Sequence, residues 1–184
     1  MKDSFLTQFT DKATKAHKKS ADCFKAQDYI GFLAGHFEEG YYRTLAYAVN
    51  GNDQGDGQPV IDTFWSFFKV EQQGTSRVTQ ALKKMGKLDK IPEIEAAIKR
   101  FSTDASEDFL ALSNKSTQIY RTLMNMGSWE RTEKGLTNNV NNEVDATDKL
   151  FMEDKVIMGI INRRKTPKTG TFNLLMKEIQ TILA

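Results

Sequence analysis

Residues 105–126 read ASEDFLALSNKSTQIYRTLMNM, and the spacing of the apolar side chains in this stretch decides the fold class. Apolar and small residues recur here in alternating steps of four and three, the spacing of a helix that packs along a continuous seam. The pattern covers only about three heptads, so packing within one chain explains it as well as a coiled coil between chains does. The seam positions are Ala105, Phe109, Leu112, Ser116, Ile119, Leu123 and Met126, and Gly127 is expected to end the helix.

Helical periodicity also covers most of the chain on both sides of this seam. Apolar residues at steps of three and four predict further amphipathic helices, whereas alternating strand patterns with hairpin turns are nearly absent. The sequence therefore predicts an all-α fold, a single-domain helical bundle of about six or seven helices. The clearest further stripes lie in residues 4–27, 28–49, 92–101, 136–161 and 172–183.

The domain organisation is predicted from the end of the chain. Residues 1–162 are expected to form the helical bundle domain, and residues 163–171 read as a basic linker. Residues 172–184 place Phe172, Leu175 and Ile179 on one side of an amphipathic C-terminal helix. This helix is expected to pack on the bundle or on a partner.

Two segments of the N-terminal half, one rich in glycine and one rich in aromatic residues, each allow two structural interpretations. Gly31, Gly35 and Gly40 lie inside the second helical stripe, where each glycine costs about 1 kcal/mol relative to alanine. They predict either a close approach of a neighbouring backbone or a break in the helix. The aromatic run after Pro59 predicts a helix that is buried on more than one side, or a short buried strand.

The start of the helix that ends near residue 161 is ambiguous as well. Leu136 and Val140 fit its apolar stripe, but the asparagines between and beyond them are mediocre helix formers. The helix is therefore expected to start either near Leu136 or later, near Asp145.

Composition and charge restrict the class of protein. The 184 residues carry 26 basic and 24 acidic side chains, a net charge of +2, and nucleic-acid-binding domains usually have a larger excess. The single cysteine, Cys23, excludes an internal disulfide and fits a reducing compartment. No apolar signal segment or membrane span is recognisable, so we expect a soluble cytoplasmic protein, with secretion without a cleavable signal as the alternative.

The residues that commonly carry chemistry do not form a known constellation. His17 and His36 are the only histidines, and neither belongs to a zinc or di-iron motif. The Asn/Asp/Gly-rich loop at residues 50–58 resembles a calcium loop in composition, but Ile61 stands where an EF-hand needs glutamate. Phosphate-binding and nucleophile motifs are absent, and Cys23 reads as a small buried residue. The sequence therefore predicts no cofactor, no metal and no enzymatic activity.

Surface features are more informative than motifs. Residues 12–25 carry five lysines against one aspartate, residues 143–154 five acidic side chains against one lysine, and residues 163–168 four basic side chains. Thirteen of the nineteen aromatic residues lie in the first 70 positions, and Tyr42 and Tyr47 fall off the main helical stripe. Charge blocks and exposed tyrosines are typical of interfaces. The candidate partner-binding residues are Tyr42, Tyr47, Arg163, Arg164, Lys165 and Lys168.

These observations favour a non-enzymatic protein–protein interaction module, an adaptor or a subunit of a larger assembly. Its partner is expected to be another protein or a second copy of the chain. One alternative is a helical domain that binds a small molecule in a pocket near His36, Tyr41 and Trp65. The other is a secreted effector that is exported without a cleavable signal.

Overall fold

The computed structural model describes residues 4–51, 57–125, 129–132, 135–138, 146–165 and 170–184. Within these ranges eight α-helices and one short β-hairpin occur, and the helices pack into one body. The prediction of an all-α bundle is thereby confirmed. The elements are α1 (Phe5–Lys25), α2 (Tyr29–Asn50), α3 (Gln58–Phe68), α4 (Arg77–Lys84), a 3-10 turn (Leu88–Lys90), α5 (Ile91–Asn125), β1 (Trp129–Thr132), β2 (Gly135–Asn138), α6 (Ala146–Glu153), α7 (Lys155–Arg164) and α8 (Thr171–Leu183).

The first two helices form an antiparallel hairpin with capped ends. The Ser4 side chain accepts a hydrogen bond from the Thr7 amide at the start of α1, and Asp28 accepts one from the Gly31 amide at the start of α2. Both side chains satisfy an amide that has no partner inside its helix. Gln27, with φ of 60°, turns the chain between the two helices.

Helix α2 is continuous through Gly31, Gly35 and Gly40, and neighbouring helices approach it closely at the last two positions. A Cβ atom at Gly35 would lie 2.8 Å from the Cβ of Ser20 on α1 and 3.1 Å from its Cα. At Gly40 a Cβ atom would lie 2.3 Å from the Cβ of Phe67 on α3. The prediction of close backbone approach is confirmed at Gly35, where the Ser20 backbone lies nearby, whereas at Gly40 the close neighbour is the Phe67 side chain.

The aromatic run after Pro59 is a helix, α3, and proline occupies its first turn. Phe64 and Phe68 face the core, whereas Trp65 is 37% exposed. Helix α3 packs on α2 and α5. The run is thus a helix and the strand alternative is wrong. The prediction of burial on more than one side is also wrong, because the fully buried residues Val60, Phe64 and Phe68 lie on one face.

The predicted seam belongs to α5, a single helix of 35 residues that also includes the stripe predicted separately at residues 92–101. Four of the seam positions, Ala105, Phe109, Leu112 and Ser116, are fully buried inside the bundle, and Ile119 is partly buried. The side chain of Leu123 and the whole of Met126 and Gly127 lie outside the described residues. Rings from four helices meet on this side of α5: Tyr41, Phe64, Phe68, Phe101, Phe109 and Phe172.

The segment after α5 differs from the prediction of one helix from Leu136 to residue 161. Residues Gly135–Asn138 form β2, which pairs antiparallel with β1 in the register Trp129↔Asn138. The first described helical residue after the hairpin is Ala146, which agrees with the later of the two predicted starts. The helical stripe then divides at Asp154, whose side chain accepts hydrogen bonds from the amides at 156 and 157 and caps α7. This division raises the number of helices in the described ranges to eight.

The C-terminal helix α8 packs on the bundle through Phe172, Leu175, Ile179 and Leu183, which are all buried. Its main neighbour is α5. The basic linker predicted at residues 163–171 is wrong at its beginning, because Arg163 and Arg164 form the last turn of α7. Residues 166–169 of that linker lie outside the described part of the chain.

Candidate functional site

A cleft of about 700 Å³ opens between the end of α3, residues 69–73 of the connection to α4, and one face of α5. Its floor is apolar, since Phe68, Val70 and Ile98 are all at least 96% buried. Trp65 stands at the edge of this floor with 37% of its surface exposed. An apolar floor beside an exposed indole offers a partner both contact area and a hydrogen-bond donor. We call this feature the Trp65 cleft.

The rim of the Trp65 cleft is polar and carries both signs of charge. Lys69 and Glu71 form an ion pair with 2.6 Å between Nζ and Oε1. Glu95 and Lys99 on α5 line the opposite side, and neither forms an ion pair with another described residue. The cleft therefore presents one acid and one base that are free to pair with a ligand.

The connection between α3 and α4 has an unusual hydrogen-bonding pattern. Two of its carbonyl groups are anchored by side chains of α4: Thr79 Oγ1 donates to the Glu71 carbonyl at 2.9 Å, and Gln80 donates to the Thr75 carbonyl at 2.7 Å. Its backbone amides are different, because none from residue 70 to residue 76 donates a hydrogen bond within the described part of the chain. Backbone amides are strong donors, and residues 70–73 of this connection line the cleft, so we expect their amides to be available for a partner's carbonyl groups.

Two residues of α2 hold the last turn of α3 in place behind the cleft. The His36 ring lies 3.2 Å from the Phe67 carbonyl through Nε2, and its centroid is 5.3 Å from the Phe67 ring. Phe67 also covers Gly40, where a side chain would collide with it. Burial lowers the pKa of His36, although the nearby Glu39 carboxylate opposes this shift. A neutral His36 therefore positions the turn that carries Trp65.

Two of the predicted partner-binding residues, Arg163 and Arg164, belong to an intramolecular ion-pair cluster. The Arg164 Nε donates to Asp108 Oδ2 at 2.8 Å, and its Nη groups reach Asp104 and the Thr171 hydroxyl. The Arg163 Nη2 donates to Asp108 Oδ1, also at 2.8 Å. The Arg164 side chain is only 11% exposed, so it offers little surface to a partner. It joins α5, α7 and α8 instead.

The other four predicted residues are spread over the molecule. Tyr42 is 94% buried, so the prediction of its exposure is wrong, and burial together with the Glu38 carboxylate raises its pKa to about 12. Tyr47 is 43% exposed, which confirms the prediction of its exposure. Lys165 is exposed, and Lys168 lies outside the described residues. These residues do not form one site.

The histidine and acidic side chains of the described residues do not assemble a metal site. Within the described ranges no group of three His, Cys, Asp or Glu side chains is arranged to hold a metal ion. His17 Nδ1 lies 3.0 Å from the buried Glu39 carboxylate, which also accepts a hydrogen bond from Arg43. His17 and His36 thus have separate partners in the protein. The calcium-like loop includes residues 52–56, which lie outside the described part.

Comparisons with known proteins add no family. No protein-family model, no curated protein and no solved structure matches the chain in these comparisons. Among the described helices none has both the length and the apolar character that crossing a membrane requires.

Sequence reasoning named Trp65 as a pocket residue but missed the rest of the cleft. Residues 69–76 have no helical stripe, so the apolar periodicity does not indicate a function for them. The available signal was the polar run Glu71-Gln72-Gln73-Gly74 between two helices, because a non-helical connection leaves backbone groups without partners.

Proposed function

We propose that the chain is a protein-interaction module, and that the Trp65 cleft binds an extended peptide segment of a partner protein. The observation that supports this proposal is that the backbone amides of residues 70–73, which line the cleft beside its apolar floor, donate no hydrogen bond within the described part of the chain. Main-chain hydrogen bonds supply affinity for an extended peptide of any sequence, and pockets for alternate side chains supply specificity.

The geometry suggests how each part of the cleft contributes to binding. An apolar side chain of the partner packs on Phe68 and Ile98 against the face of Trp65. Carbonyl groups of the partner accept hydrogen bonds from the amides along residues 70–73. Glu95 and Lys99 lie one helical turn apart on α5, and their opposite charges favour one direction of the bound peptide.

A peptide selection tests the proposal directly. A random peptide library displayed on phage is selected against the Trp129→Phe variant, in which Trp65 is the only tryptophan left. Selected peptides should shift the fluorescence of Trp65. The Trp65→Ala substitution should lower the affinity of these peptides about thirtyfold or more, because a central tryptophan typically contributes about 2 kcal/mol or more to an interface.

The matched control is Tyr47→Ala, which removes the other well-exposed aromatic ring of the described residues. It should leave the affinity of the selected peptides unchanged. Replacing successive amide bonds of one peptide by esters then identifies the carbonyl groups that accept hydrogen bonds, since an ester carbonyl is a weaker acceptor. Peptides that bind the Trp65→Ala variant as tightly as the parent, or a selection that yields no peptide, would refute the proposal.

A small-molecule ligand is the second candidate for the same cleft. Its support is the cleft volume of about 700 Å³, which lies within the range of small-molecule sites. Of the three residues predicted to form such a pocket, only Trp65 lines the cleft. His36 lies behind it, and the hydroxyl of Tyr41 donates to the Arg164 carbonyl in the core. Native mass spectrometry of the purified chain, and of Trp65→Ala, would reveal a bound molecule that depends on the cleft.

A further inference from the structure

A second surface, on α1, is rich in exposed lysines. All five lysines of α1 are exposed, and none forms an ion pair with a residue in the described ranges. Asp11 and Asp22 are the only acidic residues on this helix. The unpaired lysines are Lys12, Lys15, Lys18, Lys19 and Lys25.

The fold adds a lysine from the far end of the sequence to this surface. The Lys12 Nζ donates to the backbone carbonyl of Lys165 at 3.4 Å, and it also lies 5.5 Å from the centre of the Tyr42 ring. Lys15 and Lys19 follow Lys12 at helical steps of three and four, which places them on the same side of α1. We call the group of Lys12, Lys15, Lys19 and Lys165 the lysine face.

Basic side chains at several other helix contacts form ion pairs within the protein. Arg163 and Arg164 immediately precede Lys165, but both are paired with Asp108. Arg100 is paired with Glu178, and Lys115 with Asp154. Positive charge at these helix contacts thus has an ion-pair partner, whereas the four lysines of the lysine face have no ion-pair partner among the described residues.

We propose that the lysine face binds an acidic segment of a partner protein. An anionic partner gains charge pairs here without displacing an existing one, and the unpaired charge also steers its approach. This inference is independent of the Trp65 cleft, because no residue is common to the two surfaces.

Two other anionic partners fit the surface less well. Nucleic acid is commonly bound by arginine together with aromatic side chains that stack on bases, but the lysine face contains no arginine, and Tyr47 and Trp65 lie on α2 and α3. An anionic membrane usually receives apolar side chains from an interfacial helix, but Phe5, Phe9 and Ala13 of α1 are buried in the core.

The test compares two charge reversals of equal size in the full chain. Lys15→Glu with Lys19→Glu alters the lysine face, and Lys83→Glu with Lys84→Glu alters an exposed pair at the end of α4. The probe is a fluorescently labelled peptide rich in aspartate and glutamate, measured by anisotropy at low and at physiological salt. The first variant should lose about tenfold in affinity or more, and the α4 control should change much less.

Each result has a defined meaning. Selective loss in the lysine-face variant, with weaker binding of duplex DNA and of phosphatidylserine vesicles by the parent chain, supports the proposal. Equal losses in both variants would overturn it, because the effect would then follow net charge alone. Duplex DNA or vesicles bound as tightly as the peptide would overturn the assignment to a protein partner. The Trp65→Ala variant should bind the acidic peptide normally, which keeps this test separate from that of the cleft.

Discussion

Replacing Arg164 by alanine should destabilise the fold much more than replacing its neighbour Arg163. The guanidinium of Arg164 is 11% exposed, and its partner Asp108 is 16% exposed. Asp104 is 49% exposed, so its contact with Arg164 contributes little. Removing one member of a buried ion pair typically costs about 3–5 kcal/mol, because the other charge stays buried without a partner.

These exposures set the expected magnitudes. Since Asp108 is not fully buried and keeps its contact with Arg163, we expect Arg164→Ala to lower the free energy of unfolding by about 3 kcal/mol, the lower end of that range. Arg163 contacts the same carboxylate but is 59% exposed, so Arg163→Ala should cost less than about 1 kcal/mol. The two variants thus share one partner and differ in burial.

Urea unfolding followed by circular dichroism measures both variants at neutral pH. Burial raises the pKa of Asp108, but hydrogen bonds from Arg163 and Arg164 outweigh it and hold the pKa below the usual value of 3.8. A carboxyl with a lowered pKa stabilises the folded state above its usual pKa and loses that contribution as the pH falls. The difference between parent and Arg164→Ala should therefore narrow toward acidic pH. Equal losses in the two variants would refute the reasoning from burial.

Three further variants test other contacts. Because burial lowers the pKa of His36 below 6.5, the free energy of unfolding should fall as the pH drops below that value, and His36→Gln should flatten this dependence in thermal melts. Gly40→Ala should cost about 1–3 kcal/mol in urea unfolding, because its Cβ would collide with Phe67; no loss would show that α3 is free to shift. Ser116→Ala should raise the unfolding midpoint, since this buried hydroxyl has no hydrogen-bond partner in the described structure; a lower midpoint would reveal a partner.

The central helix was predictable because its signal is local. The seam positions Ala105, Phe109 and Leu112 are buried as their spacing requires. The continuity of α5 across Ser102 and Thr103 was not predictable in the same way, because both residues are weak helix formers. Ser102 is buried in the bundle, and packing of this kind overrides local propensity.

Two errors have a common physical cause, which is that helical spacing does not report the neighbours of a segment. Leu136 fits a helical stripe, yet it pairs with Arg131 in a hairpin. Tyr42 falls off the main stripe of α2, yet the rings of Phe9 and Tyr41 pack on it. Helix α2 contacts α1, α3 and α5 at once and therefore has little exposed surface. A residue outside its main apolar stripe can be buried for this reason.

The Trp65 cleft was only partly predictable because its walls come from distant parts of the chain. Trp65 and the connection after α3 are local in sequence, but Ile98 and Lys99 follow some thirty residues later. These residues lie close together only because α3 packs across α5. The apolar periodicity of the two segments does not predict this packing. The exposure of Trp65 likewise follows from tertiary packing, since Phe64 beside it is buried.

The pairing of charges offers a way to separate stability from binding with one set of variants. Arg164 has its partner inside the protein, so its removal should appear in unfolding measurements in the absence of any ligand. Lys15 and Lys19 have no ion-pair partner among the described residues, so their reversal should leave the free energy of unfolding nearly unchanged. If the reversal nevertheless lowers the affinity for the acidic peptide, the lost interaction is intermolecular. A marked loss of stability in that variant would instead mean that these lysines support the fold.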